Sequence, residues 1–173
     1  MKILMLIDAL DIGGAETHTI TLAKGLGKQG HEVEVVSAEG ELTENLCKVG
    51  VKHIKIPNVR KNNHNNSLPL FLRILVAREV IWRKIHTQRP NIVHAHTRRM
   101  AYLAHDICRW EKIPLVTTAH AKFPARNLKN LFTKWGDATV AVSEDIKENL
   151  SYSSHFGRAP RHVNVILNGI EIE

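Results

Sequence analysis

The sequence predicts an α/β fold: a doubly wound, mostly parallel seven-stranded sheet with helices on both faces. Three observations predict it. Short apolar runs alternate with segments of helical period along the whole chain. The leading runs are continuously apolar, as in strands covered on both faces. Gly30, Gly50, Pro57 and Pro90 punctuate the boundaries. Strand and helix alternating through seven strands call for right-handed crossovers and a parallel sheet.

The elements follow in order. Residues 2–7 read as a buried strand. Residues 13–28 carry Ala15, Ile20, Leu22, Ala23 and Leu26 at helical spacing, and Gly30 stops that helix. The second strand is 32–37, a short helix spans 42–49, and the third strand, 51–56, ends before Pro57. Residues 58–67, Asn-Val-Arg-Lys-Asn-Asn-His-Asn-Asn-Ser, are too polar for a core and read as a mobile loop. A long helix runs from about 68 to 88, closed by Pro90. Then come strand 92–96, helix 100–110, strand 115–120, helix 128–135, strand 138–142, helix 144–150 and strand 163–167.

A chain of 173 residues suits one domain. With 43% hydrophobic and 24% charged residues it is neither disordered nor collagen-like. Cys47 and Cys108 have no CxxC spacing, which argues against a disulfide scaffold or zinc ribbon and fits a reducing cytoplasm. The first apolar run stops at Asp8, too early for a signal peptide, and no run is long enough to span a membrane. The net charge of +7 attracts anions. Three Trp, two Tyr and four Phe do not interleave with the basic residues, so no nucleic-acid partner is expected.

Ligands of such sheets bind at the carboxyl ends of the strands. The first strand runs into Asp8-Ala9-Leu10-Asp11-Ile12-Gly13-Gly14-Ala15-Glu16. Gly13 and Gly14 open a helix there, and its unpaired amides favour an anion such as a phosphate. A plain turn is the alternative. The third glycine of GxGxxG is absent, as is Gly-Lys-Ser/Thr, so the turn is neither a dinucleotide fingerprint nor a P-loop. Only Glu39, placed like a ribose-binding acid, keeps an oxidoreductase in play.

The fourth strand ends His94-Ala95-His96-Thr97-Arg98-Arg99 and the fifth Thr117-Thr118-Ala119-His120. If the two strands are neighbours, three imidazoles approach one another. A tetrahedral metal site is one reading, but no nearby Cys or carboxylate supplies a fourth ligand, so no metal is expected. His94 reads as a core residue hydrogen-bonded to backbone, and His96 and His120 as site residues. Arg98 and Arg99 begin a helix against its dipole, which makes sense where one of them meets an anion. The helix at 68–89 has two readings, a cover for the sheet or a peripheral membrane contact. Arg73, Arg78, Arg83, Lys84 and Arg89, less Glu79, give it +4. At about 1 kcal/mol per charge, and with half of them facing lipid, the attraction is roughly 2 kcal/mol.

These strand ends resemble the N-terminal, acceptor-side domain of the GT4 family of glycosyltransferases. Gly13-Gly14-Ala15-Glu16 resembles the family's GG-x-[ENQ] loop, Gly30-His31-Glu32-Val33 its G-H-E-V, and Arg89-Pro90-Asn91-Ile92-Val93-His94-Ala95-His96 its K-P-D-[IV]-[VI]-H-x-H. Thr117-Thr118-Ala119-His120 resembles its T-x-H, Val142-Ser143-Glu144 its V-S-E, and Leu167-Asn168-Gly169-Ile170-Glu171 its P-N-G-[IV]-D. Asn91, Leu167 and Glu171 depart from the pattern, and Ala121 follows the histidine where many members have Gly or Asp.

The resemblance implies one Rossmann-like half of a GT-B fold. Residues 1–167 would be the acceptor-side domain and 168–173 the start of the crossover, with Asn168 and Gly169 as hinge. The donor-binding C-terminal domain is absent from this sequence and would be its partner, so the chain alone is expected to be inactive. The whole enzyme would transfer a sugar, with retention, from a nucleotide-sugar donor to a glycan or lipid-linked acceptor in cell-envelope polysaccharide or glycolipid synthesis. Gly13 and Gly14 would meet the donor phosphate, His120 would be catalytic, and Glu16, His96 and Arg98 would contact the acceptor. No metal or other cofactor is implied, and the location is the cytoplasm, with peripheral contact at the inner membrane face as an option. The alternative is a non-catalytic sheet domain that binds a phosphorylated or acidic ligand.

Overall fold

The structure, a computed structural model, describes residues 1–60, 68–122, 133–152, 160 and 162–169. Its strands are β1 (Lys2–Ala9), β2 (Glu32–Ala38), β3 (Lys52–Lys55), β4 (Ile92–Ala95), β5 (Leu115–Ala119), β6 (Ala138–Ala141) and β7 (Val163–Val165). Its helices are α1 (Gly14–Lys28), α2 (Thr43–Lys48), α3 (Leu70–Gln88), α4 (Arg98–Glu111) and α5 (Glu144–Tyr152). The strands form one seven-stranded sheet in the order β3-β2-β1-β4-β5-β6-β7. Every pairing is parallel.

β1 is the hub. Leu4 and Leu6 point to one face and pack with Ala77, Ile81 and Ile85 of α3 and Met100 and Ala104 of α4. Ile3, Met5 and Ile7 point to the other, against Ala23 of α1 and Leu46 of α2. Continuous apolarity in β1 is the consequence of burial on both sides. Leu115 joins the α3–α4 side, and Ala119, two pairs of residues along the same face, packs with Ile146 and Leu150 of α5. The chain winds outward through β2 and β3, and α3 then returns it to β4 on the other flank of β1. The strand order reverses there, so a crevice opens between the carboxyl ends of β1 and β4.

Several predicted boundaries shift. β1 runs on to Ala9 because the polar Asp8 finds partners. α4 starts at Arg98 because the Thr97 hydroxyl accepts from the Met100 amide and caps it. Of the helix predicted at 128–135, residues 128–132 lie outside the described residues, and 133–135 are irregular. Those residues lead into Gly136, where a Cβ would lie 2.1 Å from the Leu115 carbonyl oxygen. The Asp137 amide then bonds that same carbonyl at 2.7 Å, so the chain is already docking onto β5.

The expectation of a mobile loop at 58–67 needs correction where it can be seen. Residues 61–67 lie outside the described residues, but 58–60 are tied down. Val59 is 1% exposed, and the Arg73 guanidinium donates to the Asn58 carbonyl at 2.5 Å. The buried valine anchors this described end of the run.

α3 covers the sheet, and its cations are not available in the way the charge count assumed. Arg73 is buried; Arg78 donates to the Leu103 carbonyl at 3.0 Å. Lys84 pairs with Glu34, Arg83 with Glu79 and Arg89 with Glu111. The net +4 therefore does not face outward as a unit. Beside the exposed Glu79, Arg83, His86 and Thr87, α3 exposes four large apolar residues: Phe71, Leu75, Val76 and Trp82. Among the described residues no helix is long and apolar enough to cross a membrane.

Two glycines separate steric need from propensity. Gly136→Ala would drive a methyl into backbone and should destabilise the chain by about 1–3 kcal/mol. Gly25→Ala, inside α1 with nothing within 4 Å, should stabilise it by up to about 1 kcal/mol. Urea unfolding of both variants measures this, and equal effects would count against the close β5 docking.

Candidate functional site

The crevice is built from three strand ends. After β1 the chain reaches Gly13, the residue that caps α1, with an extended φ of −177° and no side-chain cap. A Cβ on Gly13 would meet the Glu16 carboxylate at 2.4 Å, so glycine is what lets that carboxylate fold back over the turn. A Cβ on Gly14 would meet nothing within 4 Å. Packing thus does not demand glycine there, and the first-turn amides of α1 lack intrahelical acceptors.

Glu16 itself is buried and held by Arg60, whose Nη2 donates to it at 2.7 Å. The same guanidinium bonds Asp11 at 2.5 Å and lies 3.8 Å from Asp8. Asp8 is also buried and accepts from Thr97 Oγ1 at 2.8 Å and from Arg99 Nη1 at 2.6 Å. At the start of α4, Arg99 thus meets an anion, the Asp8 carboxylate. Arg98 is half-buried, and burial lowers its guanidinium from the ordinary value. Asn168 and Gly169 are exposed, irregular chain beyond β7.

The histidines gather on the α1 side of the same crevice. His94 and Met5 share a register position, so His94 sits on the face that α1 covers. Its Nε2 lies 2.7 Å from the Thr118 hydroxyl, so its partner is a side chain and not the expected backbone. His96 follows β4, is 2% exposed, and its ring centroid lies 4.2 Å from that of His94, with the rings tilted by 31°. His96 Nδ1 and His120 Nε2 are 3.4 Å apart. The sequence reading brought these three together correctly. It missed His18 of α1, whose ring centroid lies 5.1 Å from His120 and 5.8 Å from His96. The available signal was spacing: His18 is one helical turn beyond Gly14, on the same stripe of α1.

Burial pushes the His94 and His120 imidazoles down to about 4, with neighbouring histidines adding to it. Burial lowers His96 well below the ordinary value and lowers His18 as well. All four are therefore neutral at pH 7. They can hydrogen-bond hydroxyls or offer lone pairs, but they bring no charge to an anion.

The comparisons with known proteins give the chain a family and its fold a set of relatives. The model of Glycosyltransferase Family 4 matches residues 12–173. The chain belongs to this family. No curated protein sequence matches it. Solved structures do. A glycosyltransferase from Rickettsia africae is 24% identical with a TM-score of 0.67, covering 98% of this chain and 43% of its own. HepE from Anabaena, solved in complex with UDP-glucose, is 22% identical with a TM-score of 0.72, covering 99% and 44%. MurG from Acinetobacter baumannii is 15% identical with a TM-score of 0.67, covering 98% and 46%. At these identities the likeness establishes the fold, one Rossmann-like half of a GT-B architecture. The chain spans less than half the length of each of these relatives.

The neutral imidazoles give this glycosyltransferase-family domain a stability that depends on pH. Each is harder to protonate folded than unfolded, where the value is 6.5. Stability is therefore full above about pH 6.5 and is lost as pH falls toward 4, because the unfolded chain then binds more protons. Thermal melts in chelator-containing buffer should be flat from pH 8 to 7 and fall steeply below 6.5, and His94→Gln should reduce the slope. A melt that does not change between pH 7 and pH 5 would refute the buried neutral state.

Proposed function

We propose that the chain is the acceptor-side domain of a retaining glycosyltransferase that moves a sugar from a nucleotide-sugar to a glycan or lipid-linked acceptor. The setting is cell-envelope polysaccharide or glycolipid synthesis on the cytoplasmic side. The observation that carries this reading is the meeting, at one sheet crevice, of the first turns of α1, through His18, with His96 and His120. The family match and the UDP-glucose held by the Anabaena relative support it.

The chemistry assigns roles as follows. Charge builds on the departing diphosphate, and preorganised amides at Gly13 and Gly14 answer part of it. The second domain, across the hinge at Asn168 and Gly169, supplies the remaining donor contacts. His120 is neutral and holds the donor sugar by hydrogen bonds at the reaction centre. His96 supports His120 from its buried position and shapes the acceptor side with Arg98 and the Glu16–Arg60 pair. The transfer itself uses no metal. The domain alone has little turnover.

In the two-domain enzyme, Gly14→Val and His120→Ala should each lower turnover about 100- to 1000-fold while circular dichroism stays unchanged. Wild-type rates in both variants, with a panel of nucleotide-sugars, would reject the assignment and favour a non-catalytic domain that binds a phosphorylated or acidic ligand.

Lipid-linked acceptors place the domain at the inner membrane face, and α3 offers the contact. Phe71, Leu75 and Trp82 are all exposed and fall within about 40° of one another around the helix at 100° per residue. With most α3 cations paired, the attraction is apolar more than electrostatic. Vesicle sedimentation should show binding that survives high salt and is lost in Phe71→Ser/Leu75→Ser. Absence of binding, or binding abolished by salt alone, would reject this contact.

A further inference from the structure

His18, His96 and His120 come from three separate elements and place one ring nitrogen each within 4.8 Å of the others. We propose that they form a binding site for one zinc ion, or another divalent transition metal of similar softness, with the fourth position open to the crevice. Zinc takes imidazole nitrogen at about 2.0–2.1 Å in tetrahedral geometry, so two of its ligand nitrogens sit about 3.3–3.4 Å apart. The His96 Nδ1 to His120 Nε2 separation is 3.4 Å. One edge of the tetrahedron is already at ligand spacing, and His18, half-buried on α1, closes the set by a small side-chain adjustment.

A second observation concerns His96. The ring is buried, and its Nε2 has no hydrogen-bond partner among the described residues. The nitrogen at ligand spacing is the other one, Nδ1, and it faces His120 Nε2 at 3.4 Å, longer than a normal hydrogen bond but right for two ligands of one ion. The nearby carboxylates do not compete for the ion. Asp8, Asp11 and Glu16 are engaged by Arg60, and Asp8 also by Arg99.

The sequence argument against a metal required a fourth protein ligand. Three histidines and a water or substrate hydroxyl also make a complete zinc sphere, of the kind that keeps one position exchangeable. The ion is not needed for sugar transfer. It takes the His120 lone pair that faces the site and so competes with the sugar. That inhibition rests on the proposed transfer, whereas the site itself does not.

The test uses cobalt(II) and zinc on the 173-residue chain. Cobalt should bind with one-to-one stoichiometry and show the intense visible bands of a four-coordinate ion, and zinc should abolish them. Zinc should also raise the melting temperature, as any ligand of the folded state does. His18→Gln and His120→Gln should each weaken binding by more than about 100-fold, beyond what a change outside the coordination sphere costs. His31→Ala and His162→Ala should leave binding unchanged. The proposal is overturned by an absence of tetrahedral bands, by binding that both site variants retain while remaining folded, or by binding lost with His31 or His162. Loss of transfer in the two-domain enzyme with intact metal binding would remove the enzymatic reading and leave the site standing.

Discussion

The buried carboxylate of Asp8 is the constraint on which the crevice depends. A carboxylate removed from water must be paired and hydrogen-bonded, or it costs several kcal/mol. Asp8 meets that requirement with groups from separate parts of the chain: Thr97 and Arg99 at the start of α4, and Arg60 before α3. Each partner is itself structural. Thr97 caps α4, and Arg60 also binds Asp11 and Glu16 and so fixes the first turn of α1. The end of β1, the start of α4 and the start of α1 are therefore held in one charge network, at the place where the strand order reverses. Arg73 extends the network downward. From inside α3 it donates to the Asn58 carbonyl and keeps the segment carrying Arg60 in place.

The fold was legible because it is written in local pattern. Apolar runs of four to eight residues, glycine and proline stops and helical spacing all lie within a few residues of one another, and all seven strands were located to within two residues of their observed ends. β7 is the same strand, stopping at Val165 where the exposed Ile166 and Leu167 begin. What stayed hidden was set by partners far away in sequence. Val59 belongs to the core although its neighbours are polar, because α3 packs over it. Arg73 looked like a surface charge, yet its partners are backbone carbonyls 13 and 15 residues earlier. Residues 133–135 read as helix, but they are irregular and lead into Gly136, which lies close against the Leu115 carbonyl of β5.

The site divides in the same way. His96 and His120 could be named in advance because residues just past parallel strands face the crevice whatever the topology. His18 could not be named from strand ends alone: its spacing puts it on the Gly14 stripe of α1, but its place also depends on which face of the sheet α1 covers and on β4 being the next strand over. Asp8 and Arg60 were invisible for a related reason: a charge pair bridging 52 positions leaves no periodic trace.

The net charge of +7 invites the idea of a basic groove, and the pairings argue against it. Arg60, Arg89 and Arg99 are each bound to carboxylates, Arg73 and Arg78 to backbone carbonyls, and Lys52 and Lys84 both to Glu34. The imidazoles in the crevice are neutral. The crevice presents neutral rings, and its carboxylates are already held by arginines. Asp8, Asp11 and Glu16 are tied to Arg60, and Asp8 also to Arg99, so the end of β1, the first turn of α1 and the start of α4 keep their places together. The arginine charges at this edge of the sheet therefore hold its shape.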